Sequence, residues 1–294
     1  MKLFQKFLGV WGETPMFLEG DILGNFNFNG KKIYYETHGE GAPIVLLNGI
    51  MMSTLSWHNF VKPLSANNTL VLVDFLDQGQ SDKCEGETYT NDVQVELVKS
   101  LLEHLNYEKA VIAGVSYGGN VALKFATMYP EYVHRLIVFN VTARTGDWLR
   151  EMGESWTKSM GDPVQFYNTT IPVIYSPEFY NSNPTWVKVR KDFLTTQIFT
   201  NKVFLDGITR LTRSADEYDI VDKLEKIVTK TLIIGSEIDP ITPFSDQRFL
   251  HEKIKNSELV LLPGAGHASM YEKPALFVSL LLGFANSELE GLVV

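Results

Sequence analysis

The chain has 294 residues, 45% hydrophobic and 21% charged, with a formal net charge of −9. This composition suits an ordinary globular protein with one large domain, or one domain carrying an insertion, and the acidic balance argues against nucleic acid or an anionic membrane as partner, since both select clustered Lys and Arg. Cys84 is the single cysteine, which excludes an intrachain disulfide and a multi-cysteine metal centre and makes a reducing, cytoplasmic setting the simplest expectation.

Residues 1–25 read as an N-terminal extension. Leu3, Phe4, Phe7, Leu8 and Trp11 fall on one helical face, whose ordinary fate is to dock on the body of the protein, with a partner surface as the alternative. Lys6 interrupts the apolar run, leaving no adequate signal-peptide core, and no stretch of the chain is apolar for long enough to span a bilayer. Residues 32–37 then alternate like a strand, and 44–48 form a continuous apolar run ending at Asn48-Gly49, with further runs at 70–74 and 110–114. Between the last two, Thr90 is a candidate cap for a helix whose apolar positions are Val93, Leu97, Val98, Leu101, Leu102 and Leu105. Residues 117–128 read as a helix closed by Pro130, and 135–140 as a strand.

From about 144 to 223 the character changes: aromatics such as Trp148, Trp156, Phe166, Tyr175 and Trp186 accumulate and the strand–helix alternation stops. The alternation resumes with strands at 231–235 and 258–262, a helix at 245–254 between them, and a last helix at 274–284. The expected architecture is therefore α/β: a mostly parallel sheet flanked by helices, formed by residues 26–143 and 224–294, with 144–223 inserted as a helical lid. A helical extension packed elsewhere is the alternative for the insertion.

The chemistry concentrates at three places. Gly114-Val115-Ser116-Tyr117-Gly118-Gly119 follows an apolar run and opens a helix, the setting in which a sharp turn thrusts a serine Oγ out of a sheet edge. A serine that merely caps the helix is the plainer alternative. A serine nucleophile needs a base, and His267, on the small-residue loop Pro263-Gly264-Ala265-Gly266 after the last strand, is the candidate. His38, His58, His104, His134 and His251 are expected in surface or packing roles. The base in turn needs a carboxylate on its other nitrogen, and Asp239 is preferred over its neighbour Glu237 just past the strand at 231–235. A developing oxyanion calls for two N–H donors: Tyr117, directly after the serine, and Ile50 in the loop after 44–48, with Met51 next in line.

With these motifs in this order, residues 26–284 resemble the α/β-hydrolase superfamily, in its lid-bearing serine branch of carboxylesterases, lactonases, carbon–carbon bond hydrolases and haloperoxidase-like proteins. A serine at the elbow separates the chain from the branches that use aspartate there. Two positions depart from the family pattern: Asn48-Gly49 where His-Gly is common, and Gln78-Gly79, in the loop from Asp74 to Asp82, where Arg-Gly is typical. The amide of Asn48 is expected to take over support of the oxyanion loop, and the second loop is expected to be structural. The resemblance implies a serine hydrolase that cleaves a carboxylic ester of a small to medium, largely apolar substrate through an acyl-enzyme, with no metal or organic cofactor. Lactones, thioesters and carbon–carbon bonds would use the same triad, and a ligand-sensing protein that keeps the triad is the alternative from another class. The sequence leaves the oligomeric state open.

Overall fold

A computed structural model describes residues 21–287. The apolar face expected within residues 3–11 lies outside the described residues.

The chain opens with a hairpin of β1 (Ile22–Phe28) and β2 (Lys31–His38), turned by Asn29 and Gly30, both at positive φ. β1 is a strand the apolar pattern does not reveal, and it takes in the end of the stretch assigned to the extension. At this sheet edge only Phe26 and Phe28 are buried, while Asn25 and Asn27 alternate outward. The Asn-Gly pair between two alternating runs is the signal that marks it.

β3 (Ala42–Leu47) leads through a 3-10 turn, Thr54–Trp57, into α1 (His58–Leu64), then come β4 (Asn68–Val73), α2 (Asp92–His104), β5 (Ala110–Val115), α3 (Tyr117–Met128) and β6 (Val133–Phe139). The cap of α2 is Asn91, one residue later than Thr90, whose hydroxyl instead bonds the Asp92 carboxylate. Five helices follow: α4 (Asp147–Ser159), α5 (Pro163–Ile174), α6 (Pro177–Ser182), α7 (Pro184–Phe193) and α8 (Lys202–Ser214). Proline opens α5, α6 and α7, and the side chains of Asp162, Ser176 and Asn201 cap α5, α6 and α8. The sheet resumes with β7 (Thr231–Ser236), α9 (Phe244–Lys253) and β8 (Ser257–Leu262), and the described chain closes with α10 (Ser269–Glu272) and α11 (Pro274–Ala285).

The eight strands lie in the order β1-β2-β4-β3-β5-β6-β7-β8. β2 runs antiparallel to both neighbours, and every pair from β4 to β8 is parallel. Strands covered on both faces need apolar residues on both, which is why β3, β5 and β7 read as continuous runs. On one face Val95, Val98, Val121, Phe125 and Leu250 pack from α2, α3 and α9. On the other, Trp57, Phe60 and Phe277 from the α1 and α11 side join Phe166, Tyr167 and Phe199 of the five-helix segment.

That segment leaves after β6 and returns to β7, which pairs directly with β6. At its base the outgoing and incoming strands bond to each other: Thr145 N–H donates to Tyr218 O at 2.8 Å, Ile220 N–H donates to Ala143 O at 3.0 Å, and Arg144 bridges Asp219 antiparallel. The helices are thus an insertion with a hydrogen-bonded neck.

His38 and His58 are more than packing residues. Both bond the buried carboxylate of Glu36, His38 at 2.9 Å and His58 at 3.1 Å, and Nδ1 of His38 stands 2.9 Å from Asp21. Burial pushes Glu36 up, but the hydrogen bonds from His38 and His58 outweigh it and hold the carboxyl down at about 2. For His38, burial works against the charge, and the bonds to Glu36 and Asp21 prevail and raise its pKa.

Candidate active site

Parallel strands deliver the loops after β3, β5, β6, β7 and β8 to one edge of the sheet, where an α/β fold gathers its ligands. Ser116 stands at that edge, between β5 and α3, with φ 53° and ψ −121°. A non-glycine residue in such a conformation stores on the order of 1–3 kcal/mol, which the surroundings must enforce. They do so through Ser116 N–H, which donates to Phe139 O of β6 at 2.9 Å, and Ser116 O, which accepts from Asn120 N–H at 3.0 Å. Glycine is required on both sides: a Cβ on Gly114 would lie 2.4 Å from Gly118 O, and one on Gly118 would lie 2.5 Å from Leu47 O. Ser116 occupies the N-cap position of α3 but makes no side-chain cap bond.

The hydroxyl turns instead to His267, its Oγ 2.9 Å from Nε2. On the far side of the ring, Nδ1 is 2.7 Å from Asp239 Oδ2. Asp239 is buried, and its two oxygens also accept from Ile241 N–H at 2.8 Å, Thr242 N–H at 3.1 Å and the Thr242 hydroxyl at 2.8 Å. With both Asp239 oxygens acting as acceptors, the shared proton is placed on Nδ1 and Nε2 is left to accept from the Ser116 hydroxyl. The arrangement can move the Ser116 proton onto the imidazole while a fixed charge stabilises the cation formed.

Glu237 points elsewhere: its Oε2 accepts from Gly264 N–H at 2.8 Å and steadies the loop that carries His267. Ser116, His267 and Asp239, far apart in sequence, are brought together here, and Glu237 faces away from them. Tyr117 opens α3, where backbone N–H groups and the helix dipole favour negative charge. Ile50 and Met51 lie on the loop after β3, whose final carbonyls, of Leu47 and Asn48, crowd against Gly118. Among the described residues no acceptor takes the N–H of Tyr117, Ile50 or Met51.

Three supporting residues escape a reading of the sequence. Asn140, at the end of β6 with φ 50°, donates from Nδ2 to His267 O at 2.7 Å and to the Ser269 hydroxyl at 3.1 Å. Thr242 completes the Asp239 turn; its spacing of three from an aspartate is the one available hint. Glu272 accepts from Ser176 N–H at 2.8 Å, the Ser176 hydroxyl at 2.6 Å and Gly266 N–H at 3.2 Å, so the base of α6 is tied to the histidine loop. Beside that clamp Ala268 N–H donates to Ile174 O at 2.7 Å. Nothing local in the sequence marks Glu272, because its partner lies 96 residues away.

The remaining loop at this edge follows β4. Asp74, wholly buried, accepts from Thr54 N–H and Gln80 N–H, each at 2.7 Å, and burial raises its carboxyl to about 6 against those bonds. Asp77 receives Arg210 of α8 through both oxygens, at 2.6 and 3.0 Å, a further anchor for the insertion. Among the described residues no helix is long and apolar enough to cross a membrane.

A family model for the α/β hydrolase fold matches residues 42–274. Among solved structures, the chain is 45% identical, with a TM-score of 0.90, to MGS-M2, an α/β hydrolase enzyme from a Medee basin deep-sea metagenome library, over 92% of this chain and 100% of that one. It is 28% identical over 267 residues to 3-oxoadipate enol-lactonase 1 of Acinetobacter baylyi, covering 89% of this chain and 96% of the relative. It is also 28% identical over 256 residues to pimeloyl-(acyl-carrier protein) methyl ester esterase of Nitrosomonas europaea, covering 84% and 97%. Strand order, elbow and family match agree, and the chain belongs to the α/β-hydrolase family as one of its hydrolytic enzymes.

Proposed function

We propose that this hydrolase opens carboxylic esters through an acyl-enzyme on Ser116. The observation that carries the reading is the relay from Ser116 Oγ to His267 at 2.9 Å and from His267 to Asp239 at 2.7 Å. His267 Nε2 takes the hydroxyl proton as Oγ bonds to the carbonyl carbon, and the carbonyl electron pair moves onto oxygen. The N–H groups of Tyr117 and Ile50 receive that charge; one such donor is worth about 3 kcal/mol of barrier. Collapse expels the alkoxide, protonated by His267, and water repeats the sequence to free the acid. Metal and organic cofactors have no part in this route.

The segment 144–223 acts as a lid on a core of 26–143 and 224–287. Its Met152, Phe179 and Trp186 share an apolar cluster with Met51 and Met52 of the loop after β3, which supports a small to medium, apolar substrate. Relatives named as an enol-lactonase and a methyl ester esterase favour acyl–oxygen cleavage, in an open or a cyclic ester, over carbon–carbon cleavage.

The test is trapping with a fluorophosphonate together with turnover of short p-nitrophenyl esters and lactones. Wild type is expected to be labelled on Ser116 and to turn over repeatedly, with Ser116→Ala losing both. Full hydrolysis by Ser116→Ala overturns the reading, and labelling without multiple turnover on any acyl substrate turns it toward a ligand sensor. Asp239→Asn is expected to cost on the order of 10⁴ in kcat, whereas Glu237→Gln leaves kcat nearly intact.

A further inference from the structure

The two departures from the family pattern, Asn48 and Gln78, are in contact: Asn48 Nδ2 lies 3.0 Å from Gln78 Oε1. Their orientations follow from partners that have only one polarity. The Trp57 indole N–H can only donate, and it meets Asn48 Oδ1 at 2.6 Å; the Val73 carbonyl can only accept, and it meets Asn48 Nδ2 at 2.8 Å. Asn48 therefore offers Gln78 a donor, Gln78 answers with its oxygen, and its Nε2 is left facing the loop after β3. There it donates to Gly49 O at 2.9 Å and to Ile50 O at 3.3 Å.

The carbonyl of Gly49 and the N–H of Ile50 belong to one peptide unit. No peptide bond among the described residues is cis, so the two groups point in opposite directions. Fixing Gly49 O toward Gln78 turns Ile50 N–H the other way, in a loop that lies against the serine elbow, where a Cβ on Gly49 would stand 3.7 Å from Val115 O. We propose that Gln78, oriented by Asn48, is the positioning residue that aims the Ile50 N–H at the oxyanion. The Trp57 indole, the Asn48 amide and the Gln78 amide thus act as one hydrogen-bonded unit. This inference rests on the acyl-enzyme reading of Ser116.

Gln78→Met keeps the length of the side chain and removes its donors. Expected is a fall in kcat of about tenfold or more, a KM within about threefold of wild type, and an affinity for phenylboronic acid, whose serine adduct carries the tetrahedral oxygen, that falls in step with kcat. Asn48→Ala is expected to give the same signature, and Asn48→Ala with Gln78→Met little more than either alone. Should Gln78→Met fail the thermal melt, Gln78→Glu serves: it keeps the acceptor for Asn48 and sets carboxylate oxygen against two carbonyls, with the same kcat loss expected. A kcat within about twofold of wild type, a loss confined to KM, or a kcat loss with unchanged boronate affinity overturns the inference. Ser116→Ala is run beside them: activity there removes the acyl-enzyme reading itself, whereas an inactive Ser116→Ala with a fully active Gln78→Met removes only the role of Gln78.

Discussion

Gly118 shows how little slack the nucleophile turn has. The Cβ of an alanine there would meet two backbone oxygens, Leu47 O at 2.5 Å and Asn48 O at 2.6 Å, and neither is the end of a flexible side chain. Gly118→Ala is therefore expected to cost about 1–3 kcal/mol in urea denaturation and to lower ester turnover, because relief requires β3 and its loop to move away from α3. Gly119→Ala, whose nearest contacts are at 3.2 Å, should cost distinctly less in the same measurement. At this scale Ser116, His267 and Asp239 were legible in the sequence because each follows an apolar strand and their order along the chain is informative. Asn140 and Glu272 were not, since their contribution is a bond to a backbone atom of a distant loop and leaves no pattern around them.

Between elements, the insertion is held to the core both by aromatic packing and by specific polar contacts. Asp77 is fully buried in its side chain and paired with Arg210 of α8, with Tyr89 OH donating at 2.7 Å and Cys84 N–H at 3.0 Å. Removing the guanidinium leaves a buried carboxylate with only neutral donors, so Arg210→Ala is expected to lose about 3 kcal/mol by denaturant titration, and Arg210→Ala combined with Asp77→Asn to recover a good part of it. The strands of the sheet centre were legible as unbroken apolar runs. β1 was not, since one solvated face leaves it two buried aromatics, and α1 was not, because its seven residues bury only Phe60, Val61 and Leu64. The helices of the insertion were visible as a change in texture, and their limits rest on capping side chains set beside prolines.

For the whole molecule, Glu36 and His38, buried where β2 meets α1, set a preferred pH range. Glu36, held at about 2 against an ordinary 4.5, contributes stability that is whole above 4.5 and is lost as the pH falls toward 2. His38, raised above 6.5, contributes stability that is whole below 6.5 and is lost as the pH rises through its folded value. Tyr34 and Asp74 also face Glu36, and Asp74, raised from 3.8 to about 6, takes stability away as the pH rises from about 3.8, a loss that is complete once the pH has passed about 6. The Glu36 gain is complete by about 4.5 while Asp74 is already losing, so folding stability from this cluster should peak at about pH 4 to 4.5 and decline above it. Glu36→Gln is expected to be less stable than wild type at pH 6, with the two melting curves converging as the pH approaches 2.

The paired neck of the insertion has an evolutionary consequence. Because 143–145 and 218–220 are bonded to each other, the helices enter and leave at one point, and their length or order can change without shifting the register of β6 and β7. Under the lid role proposed above, selection can remodel what the enzyme admits, and a graft of the same span from a relative is expected to work where the Ser176–Glu272 and Arg210–Asp77 ties are kept.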